Sequence, residues 1–226
     1  MNDKVIWMFR EQRSGSSWAS FAIPPKLKRG FRHFDQLISD KDDAELMCQV
    51  YNKFKNELHR TDTVYSTHLF KLLSSLKDVE NLYLIRTTRR DKVSQILSLI
   101  YMNTYPHGMT HYYVDDSKNQ QLQYLEKTLL NPVNVLKQQV LKCCNTFKRH
   151  EDLWNEYGVH HDNFVLVYED CEQGIKIDDL GIDLKWSTDD QYTYKMPEYK
   201  SKAFQNYDQI VDWCNDFLAK NQFVKY

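Results

Sequence analysis

The sequence predicts an α/β fold in three layers, a mostly parallel central sheet flanked by helices, and three observations carry that expectation. Short apolar runs such as Val5-Ile6-Trp7-Met8-Phe9 are nearly unbroken, as strands buried on both faces are. Between them lie stretches whose apolar residues recur at helical spacing. Strands that alternate with helices are joined by crossovers into parallel sheets, with helices on the faces.

Residues 5–9 are the first expected strand, followed by a polar Ser/Gly turn and a short helix from about Trp18 to Ile23. Pro24-Pro25 ends that helix, because proline lacks the N–H and restricts the residue before it. Residues 42–59 read as an amphipathic helix with Leu46, Val50, Phe54 and Leu58 on one stripe, and Asp40 to Glu45 complement the dipole at its start. Residues 63–67 and 81–85 are the second and third strands. The next helix begins near Asp91 and carries Val93, Ile96, Leu97, Ile100 and Tyr101 on its apolar side. A His/Tyr-rich loop spans 105–113, then two helical stretches divide near Asn131-Pro132. Residues 164–168 form the fourth strand, and a final helix holds Ile210, Val211, Trp213, Cys214, Phe217 and Leu218. No repeat or linker interrupts the chain, so residues 1–226 read as a single domain.

The 226 residues carry a formal net charge of −1, which removes any reason to expect a nucleic acid or an anionic membrane as partner. An anion site must therefore be local. Five cysteines (Cys48, Cys143, Cys144, Cys171 and Cys214) form no C-x-x-C pair and read as reduced, mostly buried thiols. No apolar run approaches the ~20 residues of a membrane span, and the N-terminus shows no cleavable signal. A cytoplasmic protein is the expectation.

Motifs that follow strands fall on the carboxyl rim of a parallel sheet, where such folds bind ligands. After the first strand comes Arg13-Ser14-Gly15-Ser16-Ser17-Trp18. Small residues between a strand and a helix let backbone N–H groups converge on an anion. Ser16 and Ser17 add hydroxyl donors, Arg13 a fixed positive charge, and Trp18 a ring that can stack on a base. A nucleotide kinase loop would read G-x-x-x-x-G-K-[ST]. Here a single glycine follows the basic residue, and no lysine precedes Ser16.

The segment resembles the first phosphate loop of sulfotransferases that use 3′-phosphoadenosine-5′-phosphosulfate (PAPS), Pro-Lys-Ser-Gly-Thr-Thr-Trp, here as Gln12-Arg13-Ser14-Gly15-Ser16-Ser17-Trp18. Arg13 keeps the lysine's charge with a different donor geometry, and the proline is missing. The resemblance implies a P-loop fold in which this loop holds the 5′-phosphosulfate and Trp18 stacks on adenine. It continues in order along residues 5 to about 183. Val64-Tyr65-Ser66-Thr67-His68-Leu69 is similar to the family's Lys-Thr-His-Leu-Pro, which makes His68 the implied catalytic base, with Ser66 in the place of the lysine. Arg86 and Ser94 stand eight residues apart, as do the family's two contacts to the 3′-phosphate, and so do Arg90 and Ser98. The first pair is favoured, because Ser94 lies in the first helical turn, where N–H groups and the dipole attract anions. Tyr168-Glu169-Asp170 and Leu180-Gly181-Ile182 echo two further family segments, the first of which puts Tyr168 near the adenine. The family's C-terminal Arg-Lys-Gly clamp is absent; Lys195, Lys200 and Lys202 lie in an expected loop, and the sequence assigns none of them to that role.

What the resemblance implies is in-line transfer of a sulfuryl group from PAPS to an acceptor hydroxyl on a small molecule or glycan, with 3′-phosphoadenosine-5′-phosphate (PAP) as product and no metal. A P-loop small-molecule kinase and a non-catalytic nucleotide-binding relative are the alternatives. His107 and His111 stand four apart, but Gly108 between them and the lack of an acidic third ligand speak against a metal. Their loop is expected to cover the acceptor pocket.

Overall fold

The structure, a computed structural model, describes residues 4–12, 32–33, 49, 51–53, 61, 64–105, 131–184 and 200–224. The central sheet is built from β1 (Val5–Arg10), β2 (Arg32–His33), β3 (Val64–Thr67), β4 (Leu82–Thr88) and β5 (Asp162–Val167). They lie in the order β2-β3-β1-β4-β5, and every neighbouring pair is parallel. Every residue of β1, β3 and β4 is buried, the polar Ser66, Thr67, Arg86, Thr87 and Thr88 included.

Alternation along these strands sorts the side chains onto two faces. Val5, Trp7, Phe9, Tyr65, Leu82 and Leu84 cluster with Tyr51, Phe70, Leu72, Leu73, Leu76 and Trp154. Ile6, Met8, Val64, Tyr83, Ile85 and Leu166 cluster instead with Cys171, Ile175, Ile177, Leu180, Ile182 and Leu184. The second cover is an antiparallel hairpin of β6 (Ile175–Ile177) and β7 (Ile182–Leu184), which the sequence reading missed. Its alternation is plain, with Ile175 and Ile177 buried around an exposed Lys176. Gly181 makes its turn possible, since φ is +59° there and L side chains avoid that region.

The single domain expected from sequence divides into two compact units, each discontinuous in the chain. One takes Met1–Arg90 and Arg149–Trp186 and contains the sheet; the other takes Asp91–Lys148 and Ser187–Lys225. The second unit is helical among the described residues. Its core gathers Ile96, Leu97 and Ile100 of α1 (Lys92–Thr104), Val140, Cys144 and Phe147 of α2 (Lys137–Tyr157), and Ile210 and Cys214 of α3 (Tyr207–Lys220). The four described cysteines are buried and form no disulfide. Among the described residues no helix is long and apolar enough to cross a membrane.

Candidate functional site

Strand order reverses at β1: β3 lies on one side of it and β4 on the other. In open α/β sheets the crevice at such a switch point, beyond the carboxyl ends of the strands, is the place where ligands bind. The register aligns Phe9 with both Thr67 and Arg86, so the residues after these positions share one rim. Arg10 and Glu11 leave β1 there, His68 leaves β3, and Thr87 and Thr88 end β4.

His68 is half-buried, and its Nδ1 lies 2.5 Å from the carbonyl oxygen of Arg10. A carbonyl only accepts, so Nδ1 carries the hydrogen and donates it. In the neutral ring Nε2 is then the basic nitrogen. A backbone bond thus sets both the tautomer and the direction of the imidazole.

Arg86 has a different situation from the one expected. Its side chain has 0% exposure, and the guanidinium donates to two carboxylates, Glu11 and Glu151, themselves 0% and 1% exposed. Arg86 Nε donates to Glu11 Oε1 at 3.1 Å, and Thr88 Oγ1 donates to Glu11 Oε2 at 2.8 Å. The Phe70 and Trp154 rings flank the guanidinium at 5.9 and 5.7 Å. This is an interior ion network sealed by aromatic rings, and it shows no surface to a ligand.

Ser94 is half-buried on the first turn of α1, and its backbone N–H donates to Asp91 Oδ1 at 2.9 Å. The helix start that was expected to attract an anion already has one as its cap. Ser98 is buried at 3% exposure.

At the ends of β4 and β5, which align through Thr88 and Val167, two arginines meet two carboxylates. Arg90 makes a bidentate pair with Asp170, both bonds 2.7 Å, and its backbone N–H donates to Glu169 Oε2 at 3.0 Å. The Asp170 hydrogen bonds push the Arg90 pKa up. The Arg89 guanidinium lies over the Tyr168 ring at 4.2 Å, a cation–π contact, with its Nε 3.9 Å from Glu169. Arg90 and Asp170 are about half exposed (45% and 44%), whereas Arg89 keeps only 20%.

Ser66 is buried within β3. Arg13, Ser14, Gly15, Ser16, Ser17 and Trp18, with the loop of His107 and His111, lie outside the described residues. The structure therefore brings His68 to the end of β1, and Tyr168 to Arg89. Glu11 and Glu151 were missed by sequence reasoning, since two charged residues 140 positions apart give no sign that they share an arginine in the interior. Asp170 was visible inside the Tyr168-Glu169-Asp170 motif, without a partner to define its role. No protein-family model and no curated protein matches this chain.

Proposed function

We propose that the protein is a sulfotransferase that moves a sulfuryl group from PAPS to an acceptor hydroxyl. One observation carries the reading: the Arg10 carbonyl holds His68 at the switch point, as the tautomer whose Nε2 is basic, three residues before Arg13. A positioned imidazole is what an acceptor hydroxyl needs, and the resembling segment Arg13 to Trp18 follows Gln12 in the sequence. The donor set is suited to a doubly phosphorylated nucleoside, with Arg13 and a Ser/Gly-rich segment following β1 in the sequence and Arg90 after β4.

PAPS, when bound, supplies the electrophilic sulfur and a phosphate leaving group. His68 Nε2 accepts the hydroxyl proton as the acceptor oxygen bonds to sulfur. Arg13 and the N–H groups of residues 14–17 offset the negative charge that grows on the departing phosphate oxygen as the S–O bond breaks. The balance of the reaction is a sulfate ester, PAP and one proton on His68. Arg90 takes the 3′-phosphate in this reading, because it is 45% exposed and within reach of a ligand, whereas Arg86 is fully buried between Glu11 and Glu151. Tyr168, whose ring meets Arg89 on one face, is the ring for adenine in this reading. The chemistry depends on positioning and electrostatic stabilisation, as in phosphoryl transfer.

Calorimetry with PAP and with ATP–Mg²⁺, followed by sulfate transfer from radiolabelled PAPS to a panel of sugars, phenols and alcohols, tests the reading. PAP is expected to bind more tightly than ATP–Mg²⁺. His68→Ala is expected to keep PAP binding and lose turnover by about 10²–10⁴-fold. Preference for ATP–Mg²⁺ would make the protein a kinase, and undiminished turnover in His68→Ala would remove the imidazole from the reaction.

A further inference from the structure

We infer that Asp170 is a built-in competitor for the phosphate contact of Arg90, and that it sets how strongly the protein prefers a nucleotide with a 3′-phosphate over one without. The inference rests on the sulfotransferase reading above. A guanidinium presents two parallel N–H groups that fit a carboxylate or a phosphate in the same way. In Arg90 that fork is already filled by both oxygens of Asp170, each at 2.7 Å. A phosphate that binds Arg90 through the fork must displace the carboxylate or share the donors with it.

The neighbouring groups make Arg90, rather than Arg89, the exchangeable one. Arg89 is covered by the Tyr168 ring and keeps 20% of its surface, whereas the Arg90–Asp170 pair is open to solvent on both sides, at 45% and 44%. The Arg90 backbone stays in place without Asp170, since its N–H is held by Glu169 at 3.0 Å. An ion pair this exposed is weak, because water and salt screen it and ordering two side chains costs entropy. A phosphate dianion carries more charge than a carboxylate and wins the exchange at neutral pH. Asp170 then subtracts from the affinity of every nucleotide that uses Arg90 and leaves unaffected any that does not. While the site is empty it keeps the arginine matched and its fork aligned.

The experiment is calorimetric titration of the full chain with PAP and with adenosine 5′-phosphate, which lacks the 3′-phosphate. Wild type is compared with Asp170→Asn, Asp170→Ser and Arg90→Met. Both Asp170 variants are expected to bind PAP about two- to five-fold more tightly, the range a weak exposed ion pair spans, with adenosine 5′-phosphate unchanged. Arg90→Met is expected to bring PAP down to the affinity of adenosine 5′-phosphate. If Arg90→Met loses this preference while the Asp170 variants match wild type or bind PAP more weakly, Asp170 is a scaffold and the inference fails alone. If wild type shows no heat with PAP, the sulfotransferase reading fails and takes the inference with it. Unchanged binding of adenosine 5′-phosphate in each variant reports that the site is still folded.

Discussion

Arg86 shows how much a single side chain can change in meaning between sequence and structure. At the end of an apolar strand an arginine reads as an outward-facing phosphate ligand. In the structure two carboxylates, from the β1 exit and from α2, neutralise it inside the sheet unit. Taking such a group out of water is costly, and the cost is met only while its partners remain. Arg86→Met would leave Glu11 and Glu151 buried without their cation, and a loss of about 3–5 kcal/mol is expected, read as a fall in the urea midpoint. Arg86→Lys keeps the charge but has no fork to serve both carboxylates, so it is expected to recover only part of that loss. His68 is the opposite case: its expected place at a strand end held, and the Arg10 carbonyl added its tautomer.

At the level of elements, β1 and the first part of β4 were legible because their burial is written in nearly unbroken apolar runs, whereas the two-residue β2 was not foreseen. The expected strand at 81–85 nevertheless extends to Thr88 in β4. The reason is tertiary: Arg86 and Thr88 would be polar ends in an apolar interior, but Glu11, distant in the chain, supplies a partner for each. The start of α1 near Asp91 was also legible, and Asp91 caps it by accepting from the Ser94 N–H. Asp91→Ala is expected to cost about 1 kcal/mol, measured by thermal or urea unfolding, because that N–H loses its side-chain acceptor. Gly158, just past α2, owes its place to close packing: a Cβ there would stand 2.7 Å from the Trp154 ring. The β6–β7 hairpin escaped notice because each strand is only three residues long, too short for period-two alternation to stand out.

Across the whole molecule, stability depends on groups that fold into low-dielectric surroundings. Tyr83 is 1% exposed, and its hydroxyl donates to Asp179 Oδ2 at 3.4 Å. Burial, reinforced by the Asp179 charge and hydrogen bond, pushes its pKa up from 10 to about 12. The neutral phenol is therefore favoured in the folded state. Its contribution is complete below the unfolded value of 10 and is lost as pH rises through about 12. Wild type is expected to lose urea resistance across that interval, and Tyr83→Phe to lose less, having no proton to release; equal losses would show that Tyr83 does not govern the alkaline limit.

The α/β class, strands β1, β3, β4 and β5 to within a few residues, and the start of α1 were all readable in the chain. These follow from local periodicity and from what each residue type does to its own backbone. What no short stretch of chain contains is that β1 stands between β3 and β4, that Arg86 is paired with Glu11 and Glu151, and that Arg90 meets Asp170. Each of these joins residues far apart in the chain. Whether a charge faces a ligand or a buried counter-ion depends on which distant carboxylates the fold brings within hydrogen-bond reach, and no local pattern records that.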